Sequence, residues 1–251
     1  MSAAAIRSEV RKIRSARTLL AVPVLSVAYA VLSFGPALAL PAAERRALPG
    51  DTLLAAARGP GFTLAVAMLL LGVLAAAGEF RHGTVTATLL VTPSRRAALA
   101  AKAAAVAAVA AVTAVVVQAV AVGFGVLFLR ANDVAIEVTA GDLLLTAFGT
   151  VVAAVLYALT GVGLGTALRD QTAAVGAALV WVGIVEGAVP VVLRKPWLFR
   201  WLPGGAANSL LGAADPPPDL LPAWAGGLLL LGVAAAVVAA GAAVLTRRDV
   251  A

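Results

Sequence analysis

Glu186 is the one acid inside a long apolar stretch, Gln171 to Leu193. A carboxylate there must find a partner, reach water or line a pathway, because a charge in hydrocarbon costs several kcal/mol on some scales. It falls about 6 Å beyond the middle of that stretch. Arg194, two turns further on, is the nearest cation in sequence able to pair with it. Structural pairing or water exposure and a pathway role both stay open. Gln118 sits in another apolar stretch, where an amide more often bonds a neighbouring helix than a ligand. Elsewhere polar chemistry is sparse. There is no cysteine and a single histidine, His82, so thiolate nucleophiles, disulfides and multi-histidine zinc sites are excluded. A phosphate-cradling loop needs glycine before its lysine, but Lys12, Lys102 and Lys195 follow Arg11, Ala101 and Arg194. The chain has no nucleotide-hydrolysing loop of that kind.

The elements that carry these residues follow from composition. The 251 residues are 62% hydrophobic and 12% charged, with a mean hydropathy of +1.02. Soluble domains hold about 45–50% apolar and about 25% charged residues, so an integral membrane protein is expected. A span needs about 20 apolar residues. Uncharged or nearly uncharged stretches place six helices, at 18–41, 59–78, 98–129, 143–168, 171–193 and 221–246. The predicted fold is a single all-α transmembrane domain over 1–251, with a basic interfacial helix first. The net charge of +7 is then read as membrane-edge charge facing lipid headgroups, and nucleic acid is not an expected partner.

Six spans put both termini on one side. That side carries Arg7, Arg11, Lys12, Arg14, Arg17, Arg81, Arg95, Arg96, Lys102, Arg169, Arg247 and Arg248; the other carries Arg45, Arg46, Arg58, Arg130, Arg194, Lys195 and Arg200. The richer side is predicted cytoplasmic. Residues 1–39 can also be read as a signal peptide ending at Ala37-Leu38-Ala39, but the apolar stretch exceeds the usual ~7–15 residues of such a peptide.

Before the first span, Ile6, Val10 and Ile13 fall at i, i+4 and i+7 on one helical face, with Arg7, Arg11, Lys12 and Arg14 around it. Either an interfacial helix or a topology-setting basic tail fits that pattern. Between spans two and three, Gly83 is a natural helix break. Thr92-Pro93 resembles an N-cap followed by a first helical residue, and Thr84 to Val91 is long enough for about two helical turns. The turn between spans four and five is Arg169-Asp170. Gly161 and Gly165 form a Gly-x-x-x-Gly pair. The outer loop from Arg194 to Asp219, with Trp197 and Trp201, suits two re-entrant or amphipathic pieces or a plain loop.

The stretch Gly78-Glu79-Phe80-Arg81-His82-Gly83-Thr84, its hydrophobic-threonine continuation, Pro93-Ser94-Arg95 and then Lys102 resembles the permease subunits of ABC type-2 transporters. Leu164-Gly165 to Leu168-Arg169 with Ala173-Ala174, Leu202-Pro203-Gly204 and Arg247-Arg248-Asp249 are similar to further stretches of that family. The resemblance implies a permease of a bacterial cytoplasmic membrane with no catalytic site or cofactor of its own. ATP and magnesium would sit on a separate ATPase subunit, and a second permease copy or sibling would complete the transporter. It further implies a coupling helix after span two, with Glu79, Phe80, Arg81, His82, Gly83, Thr84 and Val85 meeting the ATPase, and export of an amphipathic or hydrophobic substrate. Two other readings stand beside it. One is an ion-coupled secondary transporter with Glu186 as proton carrier. The other is a membrane scaffold that transports nothing.

Overall fold

The computed structural model describes residues 3–81, 83–84, 94–214 and 219–247. Its described residues form helices and turns, with no strand among them, and six helices are long and apolar enough to cross a membrane. The chain is therefore an all-helical, multi-pass membrane protein.

Helix α1 (Ala3–Ser15) is separated from α2 (Arg17–Leu32) by Ala16, whose extended backbone (φ −85°, ψ 113°) breaks the helix for one residue. A second break at Ser33-Phe34 precedes the short α3 (Gly35–Ala39), which completes the first span. After α4 (Ala42–Arg46), the second span starts earlier than its uncharged stretch predicts. Helix α5 (Thr52–Arg58) runs into α6 (Gly61–Arg81) because Gly59 stays helical at φ −47°, ψ −51°. The third and fourth spans are α7 (Arg95–Ala131) and α8 (Ala140–Leu168). The fifth joins α9 (Gln171–Val180), a π-helical segment (Trp181–Val185) and α10 (Glu186–Val192). A 3-10 turn (Pro196–Trp201) and a buried nine-residue helix, α11 (Pro203–Leu211), lead to the last span, α12 (Ala223–Arg247). The connection between spans five and six thus holds one 3-10 turn and one short helix, where the sequence left two pieces or a plain loop open.

Local chemistry sets the ends. Gly83, at φ +65°, closes α6 in a Schellman pattern: Thr84 N–H donates to the Glu79 carbonyl at 3.0 Å and Gly83 N–H to the Phe80 carbonyl at 3.3 Å. The start of α7 differs from the Thr92-Pro93 expectation. Ser94 is its N-cap, the hydroxyl accepting from Ala97 N–H at 3.3 Å. Thr92, Pro93 and the expected short helix beyond Thr84 lie outside the described residues. Thr139 and Asp142 make a reciprocal capping box on α8. At its other end Arg169 adopts a left-handed backbone (φ 57°), and Asp170 then caps α9 by accepting from Ala173 N–H at 2.6 Å. Two residues suffice for that turn.

The bundle is built around the α6–α8 seam. Cβ atoms at Gly161 and Gly165 of α8 would fall on α6 backbone at Leu69 and Val73, and one at Gly72 of α6 on α8 backbone at Ala158. The Gly-x-x-x-Gly pair therefore allows backbone-to-backbone contact, where dispersion between closely spaced chains does the holding. Gly163 makes a similar approach to α12 at Val237. Span two is consequently the most enclosed, with 61% of its apolar window buried, against 17% for spans one and five. At the α11 end, Phe34 packs on Phe124 with ring centroids 4.8 Å apart, over the cluster of Leu53, Phe128, Leu129 and Val134.

Adding one methyl at the seam tests this account. Gly161→Ala should cost about 1–3 kcal/mol through overpacking. Gly232→Ala, whose Cβ would meet open space, should cost nothing. Thermal unfolding of the purified protein, followed by size-exclusion recovery, compares the two.

Candidate functional site

At the α1 end, four charged side chains from three helices close a ring. Lys102 of α7 donates to Glu9 Oε2 of α1 at 2.7 Å and lies 2.9 Å from Glu79 Oε1 of α6. Lys12 of α1 donates to Glu9 Oε1 at 2.5 Å and to Glu79 Oε1 at 2.9 Å. Each carboxylate meets both ammonium groups. Glu9 and Lys102 are buried, so each would carry a heavy desolvation cost alone, and the ring returns it as charge-assisted hydrogen bonds.

The sequence places Ile6, Val10 and Ile13 together on one face of α1. The structure turns Glu9 and Ile13 in, leaves Ile6 and Val10 half-buried, and exposes Arg7, Arg11 and Arg14. Glu9 escaped the sequence reading, although it is the one acid among five cations between Arg7 and Arg17, three residues before Lys12. That lone opposite charge was the available signal.

Burial pushes the Glu9 carboxyl up, yet the charge and hydrogen bond of Lys102, joined by Lys12, outweigh it and hold the group below its ordinary range. Burial lowers Lys12, and hydrogen bonds to Glu9 and Glu79 outweigh that and hold it above its ordinary range. A cavity of about 570 Å³ opens beside the ring, bordered also by Arg81, Thr84 and Gln171.

The residues expected to meet a partner divide into two groups. Glu79 is turned into the ring. Phe80 is half-buried under Arg169, whose guanidinium carbon stands 5.5 Å from the ring centroid. Arg81, Gly83 and Thr84 are exposed. His82 and Val85 lie outside the described residues.

Glu186 is elsewhere. On α6, Leu69 borders the Glu186 cavity and Glu79 belongs to the ring, ten residues or about 15 Å apart along the axis. Glu186 is 2% exposed. Its partner is not Arg194, which is exposed and left-handed at φ 53°. Trp181 Nε1–H donates to Oε1 at 2.9 Å instead. The π turn brings these two together. Residues five apart align there, and the Glu186 backbone N–H also bonds the Trp181 carbonyl. In an unbroken α-helix, positions repeating every fourth residue drift about 40° per step. The wide turn limits that drift, so Ala174, Ala178, Glu186 and Pro190 share the buried face. Oε2 lies against Gly204 in the first turn of α11, where a Cβ would collide with it; the Gly204 backbone N–H supports the carboxylate there, and Oε2 has no side-chain partner. The positive end of the α11 dipole faces this carboxylate.

Gln118 does join two helices: its Nε2 donates to Thr150 Oγ1 at 2.6 Å, and that hydroxyl donates to the Thr146 carbonyl at 2.9 Å. No group of three or more metal-ligating side chains occurs among the described residues. No protein-family model and no curated protein matches the sequence.

Lys102→Met should destabilise the protein by about 3–5 kcal/mol, the range for breaking a buried pair. Glu9→Gln added to it should cost less than the sum of the two single changes. The pH dependence follows from the two shifts. Glu9, held low, contributes fully above the ordinary carboxylate range and loses that contribution as pH falls through its lowered value. Lys12, held high, contributes fully below the ordinary lysine range and loses it as pH rises through its raised value. Thermal unfolding across pH should therefore show a plateau around neutrality that Lys102→Met lowers and narrows on its acid side.

Proposed function

We propose that the chain is the membrane-spanning permease of an ATP-binding-cassette exporter, driven by ATP hydrolysed on a separate subunit. The observation that carries this reading is the clamped junction of spans two and three. The Glu9–Lys12–Glu79–Lys102 ring ties α1, the end of α6 and the start of α7 into one unit. A partner pressing on the connector between Gly83 and Ser94 would push on that unit rather than on a loose loop. Such a lever is what rigid-body rocking of a bundle needs.

In this reading Glu79 and Phe80 are internal anchors. Arg81, Gly83 and Thr84 present the outward surface, with His82 and Val85 continuing the same connector. The ring end faces the cytoplasm of a bacterium, both termini lie on that side, and two permeases pair across the membrane. The cargo is amphipathic or apolar, matching walls of alanine, valine, leucine and glycine.

A second reading keeps one specific observation. Glu186, buried beside a cavity with one oxygen lacking a side-chain partner, has the placement of a proton or ion carrier in a secondary transporter.

Co-expression with an ATP-binding-cassette ATPase from the same genome tests the first reading. Wild-type chain should co-purify with the ATPase in detergent. Arg81→Glu, at an exposed position, should reduce recovery of the pair about tenfold or uncouple its ATPase activity, a loss on the scale of one charge-assisted contact. Failure of both proteins to associate with any such ATPase would overturn the permease reading. Transport that persists without ATP and disappears in Glu186→Gln would install the second one.

A further inference from the structure

On the α11 side of the bundle a cavity of about 540 Å³ lies between spans two, four, five and six, within the ~300–1,000 Å³ of ligand sites. Leu69, Leu164, Ala178, Leu230, Val233 and Val237 form its apolar wall. The polar groups gathered in that wall are Glu186, Tyr157 and Thr160, with the indoles of Trp181 and Trp201 beside them. No lysine or arginine belongs to it. Arg200 stands over Trp197 and Trp201, 5.9 and 5.8 Å from their ring centroids.

Three features give the wall a chemical preference. Glu186 Oε2 and the Tyr157 hydroxyl are buried and have no side-chain hydrogen-bond partner, the carboxylate being supported on that side by the Gly204 backbone N–H alone. Thr160 spends its proton on the Leu156 carbonyl at 2.8 Å, leaving lone pairs. Carboxylate oxygens only accept, and indole faces attract cations. The cavity therefore offers acceptors and negative potential to whatever enters its polar end. A lipid tail would fill the apolar wall and leave those oxygens unsatisfied, which costs about 1–3 kcal/mol per group. Water would satisfy the oxygens and leave the apolar volume wet.

We propose that this cavity is a binding site for a single-chain amphiphile with an ammonium head. The chain lies along Leu69, Leu164, Leu230, Val233 and Val237, and the ammonium donates to Glu186 Oε2 and the Tyr157 oxygen beside the Trp181 ring. The oxygen of the buried acid that lacks a side-chain partner is the position for the ligand's cation. The site lies within one chain and requires no ATPase, so it is independent of the permease reading.

The test uses the full chain in phosphatidylcholine nanodiscs, without any ATPase. Trp197→Phe/Trp224→Phe leaves Trp181 and Trp201 as the tryptophan reporters of the four present. Three quenchers with the same chain are titrated: ω-bromoundecylamine, ω-bromoundecanol and ω-bromoundecanoate. The amine should quench saturably, with a half-point about tenfold below that of the alcohol, the scale of one charge-assisted hydrogen bond, and unbrominated undecylamine should reverse it. Glu186→Gln should raise the amine's half-point to that of the alcohol while leaving the alcohol's unchanged. Val233→Phe should weaken both. Quenching that never saturates and is equal for all three heads would mean bulk lipid only and would overturn the proposal. An amine half-point untouched by Glu186→Gln would overturn it too. Should Glu186→Gln fail to fold, the comparison of head groups on the parent chain decides the matter alone.

Discussion

Inside a bilayer, apolar side chains gain nothing by leaving lipid for one another, so helices must be held by close contact and by polar groups with nowhere else to bond. The α6–α8 seam meets this constraint with glycine. At Gly72, Gly161 and Gly165 the two backbones approach until no Cβ fits between them. The other helices are arranged around that axis. Helix α12 leans on α8 through Gly163 and Gly241, α7 bonds α8 through Gln118 and Thr150, and α11 is tucked in by its own small residues, Gly204 to Ala207. Spans one and five, outside this arrangement, keep Leu25, Leu32, Ile184 and Val192 on the surface.

Among the described residues, buried acids and lysines enter the bundle at two places, and each is handled differently. At the α1 end, two acids and two lysines satisfy one another, and the arrangement stiffens the point where three helices converge. At the α11 side a single acid takes one indole hydrogen bond and backbone support from Gly204, and keeps one oxygen without a side-chain partner. The first pattern is a complete network and reads as mechanical. The second is incomplete and reads as a place for something to bind. The two are about 15 Å apart along α6, a rigid element common to both, so movement of the ring end and occupancy of the cavity have a direct mechanical route between them.

The six spans were legible because the hydrocarbon sets their length and the charges mark their ends. Two of the glycine signals, Gly83 and the Gly161/Gly165 pair, were also legible, since a helix break and a close approach each demand the residue without a side chain. The partner of Glu186 was not. Arg194 is the obvious cation by α-helical spacing, and the π turn that substitutes Trp181 leaves no mark in an apolar run. Glu9 was hidden for the opposite reason. A helix among five cations reads as basic, while the pairing that turns its one acid inward comes from Lys102, ninety-three residues away. The start of α7 moved from Thr92 to Ser94 because either residue offers a capping hydroxyl and only the helix direction chooses between them.

Two arginines at the ring end fasten the last span. Arg95, at the start of α7, donates to the Leu245 carbonyl at 2.8 Å, and Arg169, at the end of α8, donates to the Val244 carbonyl at 2.9 Å. Both arginines are made by the ribosome long before those carbonyls exist. Their bonds to the last span therefore cannot form while the chain is still growing, whereas the ring on Lys102 and the seam at Gly165 use only earlier segments. Those two bonds wait for the final turn of α12, so a nascent chain stalled after five spans can already hold its ring and its seam but lacks the strap that Leu245 and Val244 lay across α7 and α8.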